Sequence, residues 1–273
     1  MTVTTIIFSK NRPLQLDLTI SSLYLNCLDI RMANLAVLWK ADPEYQSDYK
    51  TLKEEHATKN ILFVKEENFR EDLLLIIGNK SDFLFFIVDD CIFTNQFRLE
   101  EIVKYLNESE NNLGFSLRLG RNTHYVYTMD REQEVPKMWW NYESKIQFFN
   151  WSKAEYDFSY PLEVSSSVFR SEDVLPIIRK CLYNNPNVLE GLFAYFASTF
   201  RFTKPFLFCY ETSRAFCSPI NRVQNVAPCN RFGNGLNHKV EHLLDLYQDK
   251  IRVNPKKFEG FISNSVHQEV DLF

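Results

Sequence analysis

The chain has 273 residues, 45% of them hydrophobic and 15% aromatic, with 24 Phe, 13 Tyr and a net charge of −4. That length and apolar share suffice for a substantial core, as one large domain or one domain with an extension. With 31 basic against 35 acidic residues and no Lys/Arg block, the composition excludes the electrostatic footprint of a nucleic-acid binder.

The opening MTVTTIIFSKNRP has no basic region ahead of its apolar run and no small-residue cleavage site, so it does not read as a signal peptide. No stretch approaches the ~20 apolar residues a bilayer span needs. The expectation is a soluble, cytoplasmic chain. Its cysteines, Cys27, Cys91, Cys181, Cys209, Cys217 and Cys229, form no CxxC pair and read as reduced thiols rather than a zinc knuckle.

Thr4–Phe8 is a β-branched run suited to a first strand. The polar turn Ser9-Lys10-Asn11-Arg12 follows, with Pro13 fitted to the first turn of a helix whose apolar positions include Leu14, Leu18 and Leu25. Leu35–Trp39 reads as a second strand ending in Lys40-Ala41-Asp42-Pro43, and Tyr45, Tyr49 and Leu52 recur at helical spacing. Ile61–Val64 predicts a third strand, Phe69–Ile77 a third helix and Phe83–Val88 a fourth strand. This alternation implies a parallel sheet with helices on its faces, whose ligands bind at the carboxyl ends of the strands. Ser9–Arg12, Lys40–Asp42 and Asp89–Asp90 then share one edge.

The uninterrupted apolar run Phe83–Val88 reads as a strand buried on both faces. Two carboxylates at its end repel each other and resist burial. A divalent cation would remove both costs, since hard cations are held by carboxylate oxygens. Alternatively, the two acids mark a helix start or a solvated loop. The first glycine is Gly78, so the first turn is neither a GxGxxG dinucleotide turn nor a P-loop. Lys10, Asn11 and Arg12 offer a nucleotide side-chain donors instead, or are ordinary surface groups.

Further on, Leu99–Leu106 predicts a helix and Leu113–Leu117 a fifth strand, followed by Arg118 and Arg121; Tyr125–Met129 reads as a further strand. Residues 130–160 carry Trp139, Trp140, Tyr142, Phe148, Phe149, Trp151, Tyr156, Phe158 and Tyr160, which suit a substrate wall or a hairpin closing the core. Val164–Arg170 alternates like a strand, and Ser171-Glu172-Asp173 is a helix start with a hydroxyl cap. A helix from about Asn187 holds Glu190 near its first turn, Pro205–Tyr210 is a strand, Ser218–Gly235 a loop and Gly235–Asp249 an amphipathic helix.

TTIIFSKNRP, the strand-end Asp-Asp and the segment PNVLE together resemble nucleotide-sugar-dependent glycosyltransferases of the GT-A fold. They are most similar to bacterial family 2-like enzymes that build polysaccharides and lipopolysaccharides, over roughly residues 1–210 in order of elements. The resemblance implies an α/β, Rossmann-like, mostly parallel central sheet flanked by helices. It implies a catalytic domain over 1–215, with a nucleotide-sugar half to about 120 and an acceptor half beyond it, and a helical and loop extension over 216–273 packed on the same domain. It places Ser9, Lys10, Asn11, Arg12 and Asp42 at the nucleotide. Asp90 becomes a ligand of Mn2+ or Mg2+, and Asp89 reaches the ribose or a metal-bound water. His267 is a second metal ligand, with His238 behind it. Glu190 becomes the base that deprotonates the acceptor hydroxyl, kept ionised by the helix end. Arg118 and Arg121 would face the departing diphosphate or the sugar.

The usual acid motif is Asp-x-Asp. Ending it at Asp90 puts Val88 first, whereas starting it at Asp89 puts Cys91 last, and both leave one carboxylate missing. The expected partners are a nucleotide-diphosphate sugar donor and a glycan or lipid-linked acceptor, which allows peripheral contact with the inner face of a membrane. A sugar nucleotidyltransferase is disfavoured by the glycine-free first turn, and a non-catalytic glycan- or nucleotide-binding module is the rival outside enzymes.

Overall fold

The computed structural model describes residues 1–140, 146–224, 231–233 and 238–273. Strands β1 (Val3–Lys10), β2 (Ala33–Lys40), β3 (Ile61–Lys65) and β4 (Phe83–Val88) alternate with helices α1 (Pro13–Asn26), α2 (Gln46–Glu55) and α3 (Phe69–Ile77). A short strand β5 (Cys91–Phe93), helix α4 (Leu99–Glu108) and strand β6 (Asn112–Ser116) follow. Next come the two-residue strands β7 (Tyr125–Val126) and β8 (Arg131–Glu132), then β9 (Met138–Trp140), β10 (Ile146–Asn150) and β11 (Ser167–Arg170). The chain continues through α5 (Ser171–Lys180), α6 (Pro186–Ala197), β12 (Phe206–Tyr210), β13 (Ala215–Cys217) and α7 (Val240–Gln248).

Nine strands form one sheet in the order β3-β2-β1-β4-β11-β6-β12-β10-β9. β1, β2, β3 and β4 run parallel, as do β6 and β12, while β11 and β10 are antiparallel to both their neighbours. The sheet is therefore mixed but mostly parallel, with helices on its faces. Along β4, Phe83, Phe85 and Ile87 enter the core on one face, and Leu84 and Phe86 the core on the other. That two-sided burial explains an apolar run without polar alternation.

Departures from the sequence reading are local. Tyr125–Met129 is strand for two residues and then turns into a 3₁₀ helix. The aromatic stretch adds the antiparallel pair β9 and β10 to the sheet, with Trp139 stacked on Phe148 at a 5.6 Å centroid distance. Tyr142 lies outside the described residues. Ser171 does not cap α5: Arg170 stands at the cap and the Ser171 hydroxyl is buried without a partner among the described residues. The cap of α6 is Asn185, whose side chain accepts the Val188 N–H at 2.9 Å. Pro186 is the first residue of α6, so Glu190 stands beyond its first turn. The last helix begins at Val240; Gly235 and Leu236 lie outside the described residues, as does Cys229. The other five cysteines are free. Among the described residues no helix is long and apolar enough to cross a membrane.

Candidate active site

The carboxyl ends of β1, β4 and β6 open into a cavity of about 730 Å³, where the topology rule for open α/β sheets places a ligand. Its wall includes Ser9, Lys10, Arg12, Val88, Asp89 and Asp90 from the strand ends. Arg118, Asp157, Tyr160, Glu163 and Glu190 also line it, and Cys217, Asn221 and His267 come from the chain beyond β12.

The first turn folds without glycine because Asn11 takes the left-handed region itself, at φ 54°, a conformation asparagine tolerates better than most residues. Its side chain is locked to Asp42: Nδ2 donates to Asp42 Oδ2 at 2.6 Å, and the Asp42 N–H donates to Asn11 Oδ1 at 2.9 Å. Neither residue lines the cavity. Their visible work is to shape the turn.

Asp89 is the hub of the turn. Ser9 Oγ donates to its Oδ2 at 2.9 Å and the Lys10 N–H at 3.1 Å, while Arg12 Nη1 donates to Oδ1 at 3.0 Å. Ser9 Oγ also meets the Tyr49 hydroxyl at 2.6 Å, and Thr19 Oγ1 donates to the Asp89 carbonyl at 2.8 Å. Burial pushes the Asp89 carboxyl up from its ordinary value, and Arg12 and Ser9 work against that. Both oxygens already accept protein donors, so Asp89 reads as a structural acid tying β1 to β4. Asp89→Ala would leave the buried Arg12 with only the longer 3.3 Å contact to Asp90 and would unpair the Ser9 hydroxyl and the Lys10 N–H, and it is expected to cost about 3 kcal/mol of stability, measured by urea unfolding.

Asp90 differs. Oδ2 accepts from Arg12 Nη1 at 3.3 Å, but Oδ1 is buried without a hydrogen-bond partner among the described residues. Native structures rarely leave such an atom unpaired without a ligand or water to fill the role. Cys91, next in the chain, is 0% exposed, sits in β5 opposite Cys217 and does not line the cavity. Val88, Asp89 and Asp90 all do. The acid segment therefore reaches the cavity in the alignment that ends at Asp90, and a carboxylate at position 91 would be in the core.

His267 lines the same cavity, and its Nε2 lies 3.4 Å from Arg118 Nη1. Burial, then Arg118, push its imidazole down to about 3, so the ring is neutral. No three His, Cys, Asp or Glu side chains converge into a metal-binding group among the described residues. Asp90 and His267 both line the cavity and would hold a cation only in the open manner of diphosphate-bound Mg2+ or Mn2+, where ligand phosphates and water complete the shell. His238 is near Asp271, 3.9 Å away, and does not line the cavity.

Arg118 is buried. Its Nη2 donates to Glu163 Oε2 at 2.9 Å, and its Nη1 lies 3.7 Å from Cys217 Sγ. Arg121 points elsewhere: its Nε donates to Gln147 Oε1 at 3.0 Å, its guanidinium lies over Trp140 at 5.8 Å, and it does not line the cavity. Arg121→Ala is expected to leave nucleotide binding and turnover within about twofold of the parent, as for an ordinary surface change.

Glu190 is half-buried, and its Oε1 accepts the Val164 N–H at 3.2 Å. Burial, then the nearby Glu163, push its carboxyl up to about 7. This reverses the expectation that a helix start would hold it ionised. Asp157, hydrogen-bonded to Gln133 at 3.3 Å, is pushed up to about 6 by burial. Reading the sequence named Tyr160 only as one of the aromatics of a substrate wall or hairpin and did not single out Asp157, Glu163 or Asn221. None stands in a recognisable spacing, and Arg12 meets the Asn221 carbonyl, at 2.5 Å, across 209 positions of chain.

No protein-family profile matches the chain. In sequence it is 27% identical over 207 residues to the bifunctional glycosyltransferase pgtA of Dictyostelium discoideum, covering 68% of this chain and 27% of that protein. In structure it superposes on residues 1–349 of S. aureus TarS with a TM-score of 0.51 at 12% identity, covering 80% of this chain and 60% of that one. The same TarS segment in complex with UDP-GlcNAc gives a TM-score of 0.50, also at 12% identity, covering 82% and 60%. The fold is therefore GT-A, the architecture on which nucleotide-sugar glycosyltransferases are built. The chain is a homologue of a glycosyltransferase, and it spans about a quarter (27%) of the length of the curated relative it matches.

Proposed function

We propose that the chain transfers a sugar from a nucleotide-diphosphate donor to a hydroxyl of a glycan or lipid-linked acceptor, with inversion at the transferred carbon. The observation that carries this reading is one cavity lined both by Asp90, at the end of β4, and by Glu190 of α6. The cavity offers cations and an under-satisfied carboxylate for a diphosphate, and a carboxyl poised near neutrality for a hydroxyl.

The donor's diphosphate would lie near Lys10, Arg12 and Asp90. Among the described residues the Lys10 ammonium has no partner, so it is available to a phosphate oxygen. Arg12 is held by Asp89 and by the Asn221 carbonyl and contributes a fixed positive charge that needs no reorganisation during the reaction. A divalent cation held by Asp90, with His267 beside it, would supply neutralisation of the charge developing on the leaving diphosphate. Glu190, once ionised, would take the proton from the acceptor hydroxyl as it attacks the sugar carbon on the face opposite the diphosphate. The glycosidic bond forms as the carbon–phosphate-oxygen bond breaks, and the nucleoside diphosphate departs with the electron pair.

The test is calorimetry with UDP, GDP and CDP, each with and without Mn2+. UDP is the first choice because TarS, of the same fold, was crystallised with it. Binding of at least one nucleotide, tightened by Mn2+, is expected. No binding of any of them under either condition would overturn the reading.

A further inference from the structure

We propose that Glu163 is the positioning residue of this site: its carboxylate holds Arg118 against the cavity wall and closes the turn that presents the Val164 amide to Glu190. The proposal rests on the reading of Glu190 as the base and adds a residue that no motif marks.

The Glu163 side chain is 5% exposed. Oε2 accepts from Arg118 Nη2 and from the Ser165 N–H, and Oε1 accepts from the Ser167 hydroxyl. A carboxylate so occupied is a poor proton acceptor for a substrate, so its role is to hold its donors in place. The turn it closes is strained. Ser166 sits at φ 93°, and its N–H is anchored to the Phe86 carbonyl of β4 at 2.6 Å. A non-glycine residue persists there only where its surroundings over-determine the conformation. Three donors on Glu163 and the anchor on β4 provide that constraint.

Each end of the turn serves a different group. Val164 donates to Glu190 Oε1, and Arg118 extends from Glu163 to His267 Nε2 at 3.4 Å and Cys217 Sγ at 3.7 Å. The groups facing Glu190 are Glu163, Arg118, the Val164 amide and the Tyr160 hydroxyl, which reaches the Glu190 carbonyl at 3.5 Å. Moving Glu163 would therefore disturb the proposed base and the buried Arg118 guanidinium together. Outer-shell partners of this kind typically carry effects of about 10–100-fold.

The test is Glu163→Gln, which keeps the shape and removes the charge. Turnover is expected to fall about tenfold with the donor KM changed far less, and the acid limb of the pH–rate profile should move to lower pH. In an Arg118→Gln background the same change should cost little more, because the two residues act as one unit. Full turnover with an unmoved acid limb, or simple additivity of the two substitutions, would overturn the proposal. Glu163→Asp keeps the charge but withdraws the carboxylate. It carries the test if Glu163→Gln does not fold, and undiminished turnover would count against the proposal. A carbon-13 titration of the Glu190 carboxyl in Glu163→Gln separates this inference from the base assignment. Its midpoint should fall even if Glu190→Gln proved active, and an unchanged midpoint would sink the positioning role alone.

Discussion

Glu190→Gln is expected to lower transfer by about 10²–10⁴-fold, the range a positioned general base contributes, while UDP affinity stays near that of the parent. Glutamine has nearly the same shape, and its amide can turn its oxygen toward the Val164 N–H. What disappears is the acceptor for the hydroxyl proton. The pH dependence sharpens the test. The carboxyl is raised from 4.5 to about 7, so the base is protonated and idle below that value. Turnover should rise through pH 7 and lose this limb in Glu190→Gln. Stability runs the opposite way. A carboxyl whose folded value is raised contributes stability that is complete below about 4.5 and is lost as pH climbs through about 7. Glu190→Gln should therefore flatten the decline in thermal midpoint across that window. Full activity with an unaltered profile would show that another group takes the proton. Asp157, raised to about 6 in the same cavity, is then the next to substitute.

Asp90→Ala is expected to remove the Mn2+-dependent gain in UDP affinity and to lower turnover by about 10²–10³-fold, comparable to losing a fixed electrostatic stabiliser of the leaving group. The fold should survive, because Arg12 keeps Asp89 as its 3.0 Å partner. The two neighbouring acids thus predict opposite phenotypes. Loss of Asp89 is read in unfolding, and loss of Asp90 in metal-dependent binding and turnover. A variant lacking Asp90 that still binds UDP more tightly with Mn2+ would remove the metal from this carboxylate.

The alternating first half was legible because two local signals coincide there. Apolar runs such as Ile61–Val64 and Phe83–Val88 are bounded by polar residues, and Pro13 marks a helix start. The pairing of β11 between β4 and β6 was not legible, since antiparallel insertion into a parallel sheet leaves no trace in a four-residue strand. At the site, the strand-end acids could be found from position, and Glu190 from the resemblance of PNVLE. Their division of labour could not. Whether an aspartate is saturated depends on what Ser9, Lys10 and Arg12 do in three dimensions. The raised Glu190 carboxyl depends on Glu163, 27 positions away in the chain. Asn11 and Asp42 were placed near the nucleotide by resemblance, yet they bond each other, because a glycine-free turn needs its left-handed residue held.

The bond from Arg12 to the Asn221 carbonyl has a consequence for how the protein is made. It joins the first turn to a residue 209 positions later, so the proposed donor wall is complete only once the chain beyond β12 has docked. A nascent chain that has exposed only β1 to β4 holds the acid pair and Arg12 but lacks the segment that seats the guanidinium. Contacts of such long sequence separation form slowly, after the loop they close has lost its freedom. During synthesis the proposed nucleotide end should stay incomplete until the segment around Asn221 has left the ribosome.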